Sequence, residues 1–200
     1  TRRNVSDLKI VLVGAGAAGV AIAKLINHYS QARIIAVDSR GIISKSRDDL
    51  NTEKKLLLDF TNVDNIDGSL EDALHNADTF IGVSKAGLLT ADMIKLMDKN
   101  PIVFGLANPV PEIMPDVAKQ AGVAIVATGR SDFPNQINNV LGFPGIFRGA
   151  LDNGVTKITD DHKIAAAEAL ANMVSNPTAD EIIPNPFAEG VVETIAKTIV

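Results

Sequence analysis

The chain has 200 residues, 46% of them hydrophobic and 22% charged, with a net charge of −5, which is ordinary globular usage at a length that supports a sizeable core. The acidic balance argues against the basic stripe of a nucleic-acid-binding surface. The absence of cysteine excludes disulfides, thiolate zinc sites and cysteine nucleophiles.

The N-terminal TRRNVSDLK has no initiator Met and no apolar core of the signal-peptide kind, and it leads within a few residues into the first apolar run. The expectation is a cut made inside a longer protein. No apolar stretch approaches the ~20 residues that cross a bilayer. A cysteine-free chain is compatible with the cytoplasm without fixing the compartment.

Short, nearly continuous, β-branched runs follow at Lys9–Val13, Arg33–Val37, Thr79–Val83, Ile102–Leu106 and Val123–Ala127. Each fits a strand buried on both faces. Helical spacing fills the intervals at Ala17–Ser30, Ser69–Asn76, Thr90–Asp98 and Pro115–Ala121. Ser69 and Asp72 have capping-box spacing, and Gly122 suits a helix end. After about residue 130 the pattern turns helical, with Phe143–Asn153, Thr159–Ser175 and Phe187–Val200 separated by prolines 177, 184 and 186. Strands alternating with helices imply a doubly wound α/β fold with a parallel sheet covered on both faces. Residues 143–200 are expected as a helical extension packed on that sheet, within one domain spanning 1–200.

Gly14, Gly16 and Gly19 stand in G-x-G-x-x-G spacing between the first strand and the first helix. Gly14 permits the tight turn, Gly16 lets a pyrophosphate approach the backbone, and Gly19 allows close helix–strand packing. The phosphates would sit on the helix N-terminus. Alone the motif is weak. Its context is stronger, because the second strand ends in Asp38, nineteen residues after Gly19, where a carboxylate can accept from both adenosine ribose hydroxyls. This is the Rossmann-type dinucleotide fingerprint. Asp38 repels a 2′-phosphate and favours NAD. Arg40, Lys45 and Arg47 keep NADP open, although a solvated basic loop is the plainer reading of those three.

Ligands of this fold bind beyond the carboxyl ends of the strands. There lie Ser84-Lys85-Ala86-Gly87, Ala107-Asn108-Pro109 and the long polar stretch ATGRSDFPNQINN, which contains Asn138 and Asn139. An Asn amide both donates and accepts, and so suits a carboxamide or a carboxylate. Turn-forming amides are the alternative. His28, His75 and His162 lie in helix-like segments without paired metal-ligand spacing.

GAGAAG, VDSRG, IGVSKAG, FGLANPVPEIMPD, ATGRSDFPNQINNVLGFPG and IIPNPF together resemble the C-terminal NAD(P)-binding half of bacterial malic enzymes. The resemblance runs from about Ile10 to Ile195. It implies oxidative decarboxylation of (S)-malate to pyruvate and CO₂, with reduction of NAD or NADP and with Mg²⁺ or Mn²⁺ in the complete enzyme. It implies that Gly14, Gly16, Ala17, Ala18 and Gly19 cradle the pyrophosphate, that Asp38 and Ser39 face the adenosine ribose, and that Val83 and Ser84 line the cofactor channel. Asn108 and Asn138 would approach the cofactor, with Asn108 and Asn139 holding malate. Lys85 departs from the small residue expected after Ser84. Phe133, Phe143 and Phe147 are read as packing residues.

In the family, the acid, the base and the metal ligands come from the N-terminal half, and only 13 residues precede Gly14 here. This chain is therefore expected to hold no catalytic residue and no metal ligand. It is expected to bind cofactor without turnover, and to have its own N-terminal half and further copies of itself as partners. Two readings compete. One is the cofactor domain of another two-domain dehydrogenase, acting on an amino acid or methylene-tetrahydrofolate. The other is an NADH-sensing module that meets a partner through Ser44–Lys55 or the C-terminal helices.

Overall fold

The first apolar run becomes β1 (Lys9–Val13) of a six-stranded sheet in the computed structural model, which describes residues 3–200. The other strands are β2 (Arg33–Asp38), β3 (Gly41–Ile42), β4 (Thr79–Gly82), β5 (Ile102–Gly105) and β6 (Ile125–Thr128). Their spatial order is β3-β2-β1-β4-β5-β6. β1 runs parallel to β2 and β4, and β4 parallel to β5. β3 turns back antiparallel on β2. The chain leaves β1 for β2 on one side and later returns to β4 on the other, so the topological switch lies between β1 and β4, where doubly wound folds open their crevice.

The helices are α1 (Ala17–Ser30), α2 (Thr52–Leu57), α3 (Leu70–Leu74), α4 (Ala91–Ile94), α5 (Pro115–Gln120), α6 (Asn139–Asn153), α7 (Asp160–Asn172) and α8 (Val191–Ala196). Successive strand residues point to opposite faces. Val11, Val13, Ile35, Val37 and Phe80 pack with Leu74 of α3, Ile94 of α4 and Ala118 of α5. Ile10, Leu12, Ile34, Ala36 and Ile81 pack with Ala23 of α1 and Leu57 of α2. Both sets are buried, which is why the strands read as unbroken apolar runs. Each large aliphatic side chain so covered contributes about 1.5–3 kcal/mol.

The chain divides into two compact units at Val126/Ala127. The second has its own core, in which Ala166 of α7 packs with Val191, Ile195 and Ile199. Gly145 and Gly149 of α6 make close approach to the last helical segment possible. A Cβ on Gly145 would lie 2.5 Å from Ile195 Cβ, and one on Gly149 would lie 2.8 Å from Ile199 Cβ.

Two elements escape the sequence pattern. β3 is a two-residue strand, and α2 is a six-residue helix capped by Asn51, whose side chain accepts from Lys54 N–H at 2.9 Å. Ile42 N–H on the outer side of β3 donates to Gly68 O at 2.9 Å. α6 begins at Asn139 rather than Phe143 and carries Pro144 inside it. The proline sits close enough to the N-terminus for the helix to continue through it, with one backbone bond fewer.

Candidate functional site

The crevice between β1 and β4 is shaped by three glycines with separate tasks. Gly14, at φ +110°, takes a conformation that side chains disfavour, and a Cβ there would come within 2.7 Å of Val83 O. Its N–H donates to Val37 O at 2.9 Å, carrying the β1–β2 pairing into the turn. A Cβ on Gly19 would run into Gly14 O, so only glycine lets the first turn of α1 lie against the strand exit. Gly16 differs from both. It is exposed, has ordinary extended φ and ψ, and a Cβ there would meet no protein atom within 4 Å.

Gly16 caps the 14-residue α1 with no side-chain hydrogen bond, and the first turn holds no acidic residue. The N–H groups of Ala17, Ala18 and Gly19 stand at the start of the helix, where the first amides lack intrahelical partners and the dipole favours an anion. The space a Gly16 side chain would take is left clear in front of them. These residues fit a pyrophosphate.

A cavity of about 390 Å³ opens beside this turn, lined among others by Val37, Asp38, Ser39, Arg40, Ser84 and Lys85. The structure therefore brings Asp38, Ser39 and Ser84 together around one hollow, with Gly14 and Val83 in contact next to it. Lys85 and Arg40 are exposed cations on the same cavity.

Asp38 itself is tightly held. Its Oδ1 accepts from Arg40 N–H at 2.8 Å and Arg47 Nη1 at 2.9 Å, and its Oδ2 from Arg47 Nη2 at 3.1 Å and Lys54 Nζ at 2.6 Å. The side chain is 6% exposed. Burial alone would push its carboxyl pKa up. Arg47, Lys54 and the Arg40 N–H outweigh that and hold it at about 2. A carboxylate offers about four acceptor directions, and all are taken. A ribose hydroxyl reaches Asp38 only by displacing a donor.

This alters two expectations. The basic loop is not simply solvated, because Arg47, 13% exposed, is clamped between Asp38 and Asp49. Arg40 is an exposed partner of Asp49. The repulsion of a 2′-phosphate by Asp38, the ground for favouring NAD, is offset by the two cations bound to it.

The remaining predicted residues behave differently. Asn108 is exposed at the tip after β5, and Asn139 is exposed in the first turn of α6; neither side-chain amide has a partner among the described residues. Asn138 is committed, its Oδ1 accepting from Val140 N–H and its Nδ2 donating to Gly129 O, both at 3.1 Å. It is the N-cap of α6. Of the aromatics read as packing residues, Phe143 and Phe147 are more than half exposed and touch each other at 5.9 Å between ring centroids. Phe133 lies under the Arg130 guanidinium at 5.3 Å. Sequence reasoning passed over Glu112, a fully buried carboxylate beneath the tips after β4 and β5. Its signal was an acid inside the otherwise apolar PVPEIM segment.

The family profile described as malic enzyme, NAD binding domain, matches residues 1–199. The bifunctional malic/malolactic enzyme of Bacillus subtilis (strain 168) is 52% identical over 200 residues, spanning 98% of this chain and 49% of that protein. The NADP-dependent malic enzyme of Halomonas elongata is 38% identical over 216 residues, spanning 98% of this chain and 50% of its own length. The crystal structure of the NAD-dependent malic enzyme from Thermotoga maritima superposes with a TM-score of 0.93 at 41% identity, covering 98% of this chain and 52% of that one. The chain spans about half the length of these two curated relatives and 24% of the NADP-dependent malic enzyme of Rhizobium meliloti.

Proposed function

From the premise that the chain belongs to the malic enzyme NAD-binding domain family, we propose that residues 1–200 act as the nicotinamide-dinucleotide-binding part of a malic enzyme that converts (S)-malate to pyruvate and CO₂. The observation that carries this reading is Gly16: an exposed, uncapped helix start whose missing side chain leaves room for a ligand and for nothing in the protein.

The dinucleotide, NAD or NADP, supplies the hydride acceptor when bound. The backbone N–H groups of residues 17–19 hold its pyrophosphate, with Gly14, Gly16 and Gly19 giving the turn its shape. Ser39 and Asp38, with the cations around Asp38, face the adenosine ribose. Val83 and Ser84 line the way to the nicotinamide end, and Asn108 presents its amide there. Asn138 contributes by holding the start of α6, and any contact it makes with cofactor uses the capacity left over from capping. The free amides of Asn108 and Asn139 are each assigned to malate. Orienting groups of this kind lower a barrier by fixing the reacting geometry.

The acid, the base and the Mg²⁺ or Mn²⁺ ligands are assigned to the remainder of the enzyme, in keeping with relatives about twice as long. Among the described residues no three His, Asp or Glu side chains are grouped to hold a metal ion. The remaining part of the enzyme and a second copy of it are the proposed partners. The same reading puts the protein in the cytoplasm, where malate and the coenzymes circulate. No helix among the described residues is long and apolar enough to cross a membrane.

Calorimetric titration of the chain with NAD, NADP and NADH tests this reading. Saturable binding to wild type and its loss in Gly16→Val are expected, with malate-dependent NADH formation absent from the chain alone. Absence of heat with all three coenzymes on folded protein would overturn it.

A further inference from the structure

β4 and β5 end on glycines that are register partners, Gly82 and Gly105. The side chain of Glu112 lies across this pair. A Cβ on Gly82 would come within 2.6 Å of Glu112 Oε1, and one on Gly105 within 3.5 Å of Oε2. Each oxygen then accepts from the N–H two residues beyond its glycine. Oε1 takes Ser84 N–H at 2.9 Å, and Oε2 takes Ala107 N–H at 3.0 Å. Glu112 is fully buried. The main chain straps the same two loops further out, with Gly87 N–H donating to Pro111 O at 3.2 Å and Leu89 N–H to Glu112 O at 3.0 Å.

The arrangement has a definite geometric content. The parallel ladder ends with Leu106 N–H donating to Gly82 O at 2.9 Å, and just past it the N–H groups of Ser84 and Ala107 turn to a side chain instead. One carboxylate takes the place of the next rung by accepting from both exits at once. Hydrogen bonds from backbone N–H to a charged acceptor are roughly twice as strong as neutral ones. A buried acid is costly unless its oxygens are satisfied, so the residue holds the two exits together or is itself destabilising. The glycines are what admit it, since any side chain at 82 would occupy the carboxylate's place.

We propose that Glu112 is a positioning residue, setting the spacing of Ser84 and Asn108 at the strand exits and thereby the seat of the nicotinamide end of the dinucleotide. This rests on the dinucleotide reading above. The adenosine and pyrophosphate contacts belong to the Gly14–Gly19 turn and the Asp38 cluster, which Glu112 does not touch. The two ends of the ligand are therefore separable by experiment.

The test compares NADH with ADP, which lacks the nicotinamide end, on wild type and Glu112→Gln. The amide variant keeps the shape but turns an NH₂ toward one of the two N–H donors. One lost tie with a buried donor left unmet corresponds to an NADH Kd raised about tenfold, while ADP affinity stays within about twofold. Equal weakening of both ligands would reduce Glu112 to a general structural residue and overturn the proposal, as would no change in either. If wild type binds neither ligand, the dinucleotide reading fails and takes this inference with it. If wild type binds both and only the variant's selectivity is missing, the inference fails alone. Should Glu112→Gln not fold, amide exchange in ¹⁵N-labelled wild type decides. Slow exchange at both Ser84 and Ala107 that tightens further on NADH but not ADP addition is expected, and unprotected amides at either position refute the tie.

Discussion

Arg47 meets Asp38 in a two-point ion pair, Nη1 to Oδ1 at 2.9 Å and Nη2 to Oδ2 at 3.1 Å, and turns the acidic end of β2 into an electrostatically balanced surface. Removing the guanidinium in Arg47→Ala leaves Asp38 with Lys54 and one backbone donor. For a pair lying between the exposed and fully buried cases, the expected loss is about 1–3 kcal/mol of stability, read by urea unfolding. The same substitution uncovers the Asp38 charge where a 2′-phosphate would approach. NADP affinity should fall relative to NAD by about tenfold, the order of one charge–charge contact at a protein surface. An unchanged NADP/NAD ratio would show that the cluster does not face the ribose.

The pH dependence of this cluster has a fixed sign. Asp38 titrates at about 2 in the fold against about 3.9 in an unfolded chain. Its contribution is complete above pH 4 and disappears as the pH falls toward 2. Wild type should therefore lose stability across pH 4 to 2 more steeply than Asp38→Asn, as measured by denaturant midpoints at each pH. Parallel curves would mean that Asp38 is not held as described.

Gly16 and Gly19 separate binding from folding. Gly16→Ala places a methyl in open space at a backbone conformation any residue adopts. Its unfolding free energy should stay within about 0.5 kcal/mol of wild type, while dinucleotide affinity drops about tenfold or more. Gly19→Ala forces a methyl onto Gly14 O. Its cost should reach about 3 kcal/mol in stability, because backbone has to move. A Gly16 variant with intact binding would remove the pyrophosphate from this turn.

In the second unit, Gly149→Ala is expected to cost about 1–3 kcal/mol by overpacking. Its Cβ would collide with Ala196 O and crowd Ile199. Circular dichroism melts of the variant should show a lower midpoint with unchanged helical signal at low temperature.

Thr79 offers the opposite change. Its Oγ1 is buried and has no hydrogen-bond partner among the described residues. Thr79→Val exchanges that hydroxyl for a methyl of the same shape in a strand, and about 1 kcal/mol of added stability is expected in urea unfolding. A destabilised variant would reveal a partner for the hydroxyl, such as a bound water.

The sheet was legible because its strands alternate between two buried faces, leaving apolar runs too short to be anything else. Helix α1 could be read to the residue, since helical spacing follows the glycine turn directly, whereas its left-handed end at Gln31, φ 52°, shows only in the structure. β3 could not, because a two-residue strand has no periodicity. α2 went unread because TEKKLL is a six-residue segment of which Leu57 alone goes fully inside. Asp38 was found by spacing, but its four donors were not. Three of the four come from the side chains of Arg47 and Lys54, nine and sixteen residues away through an irregular segment. Glu112 was invisible for a similar reason. Its role arises from two glycines that pair only once β4 and β5 are side by side.

The margin of the sheet at β3 has a consequence for the molecule's company. Ile42 N–H is already bonded to Gly68 O, and a Cβ on Gly41 would strike that same carbonyl. A bare margin of this kind is where foreign strands dock and amyloid-like growth begins. At β3 the stretch around Gly68 already occupies the approach to Gly41 and Ile42, so a foreign strand would have to displace it to pair there.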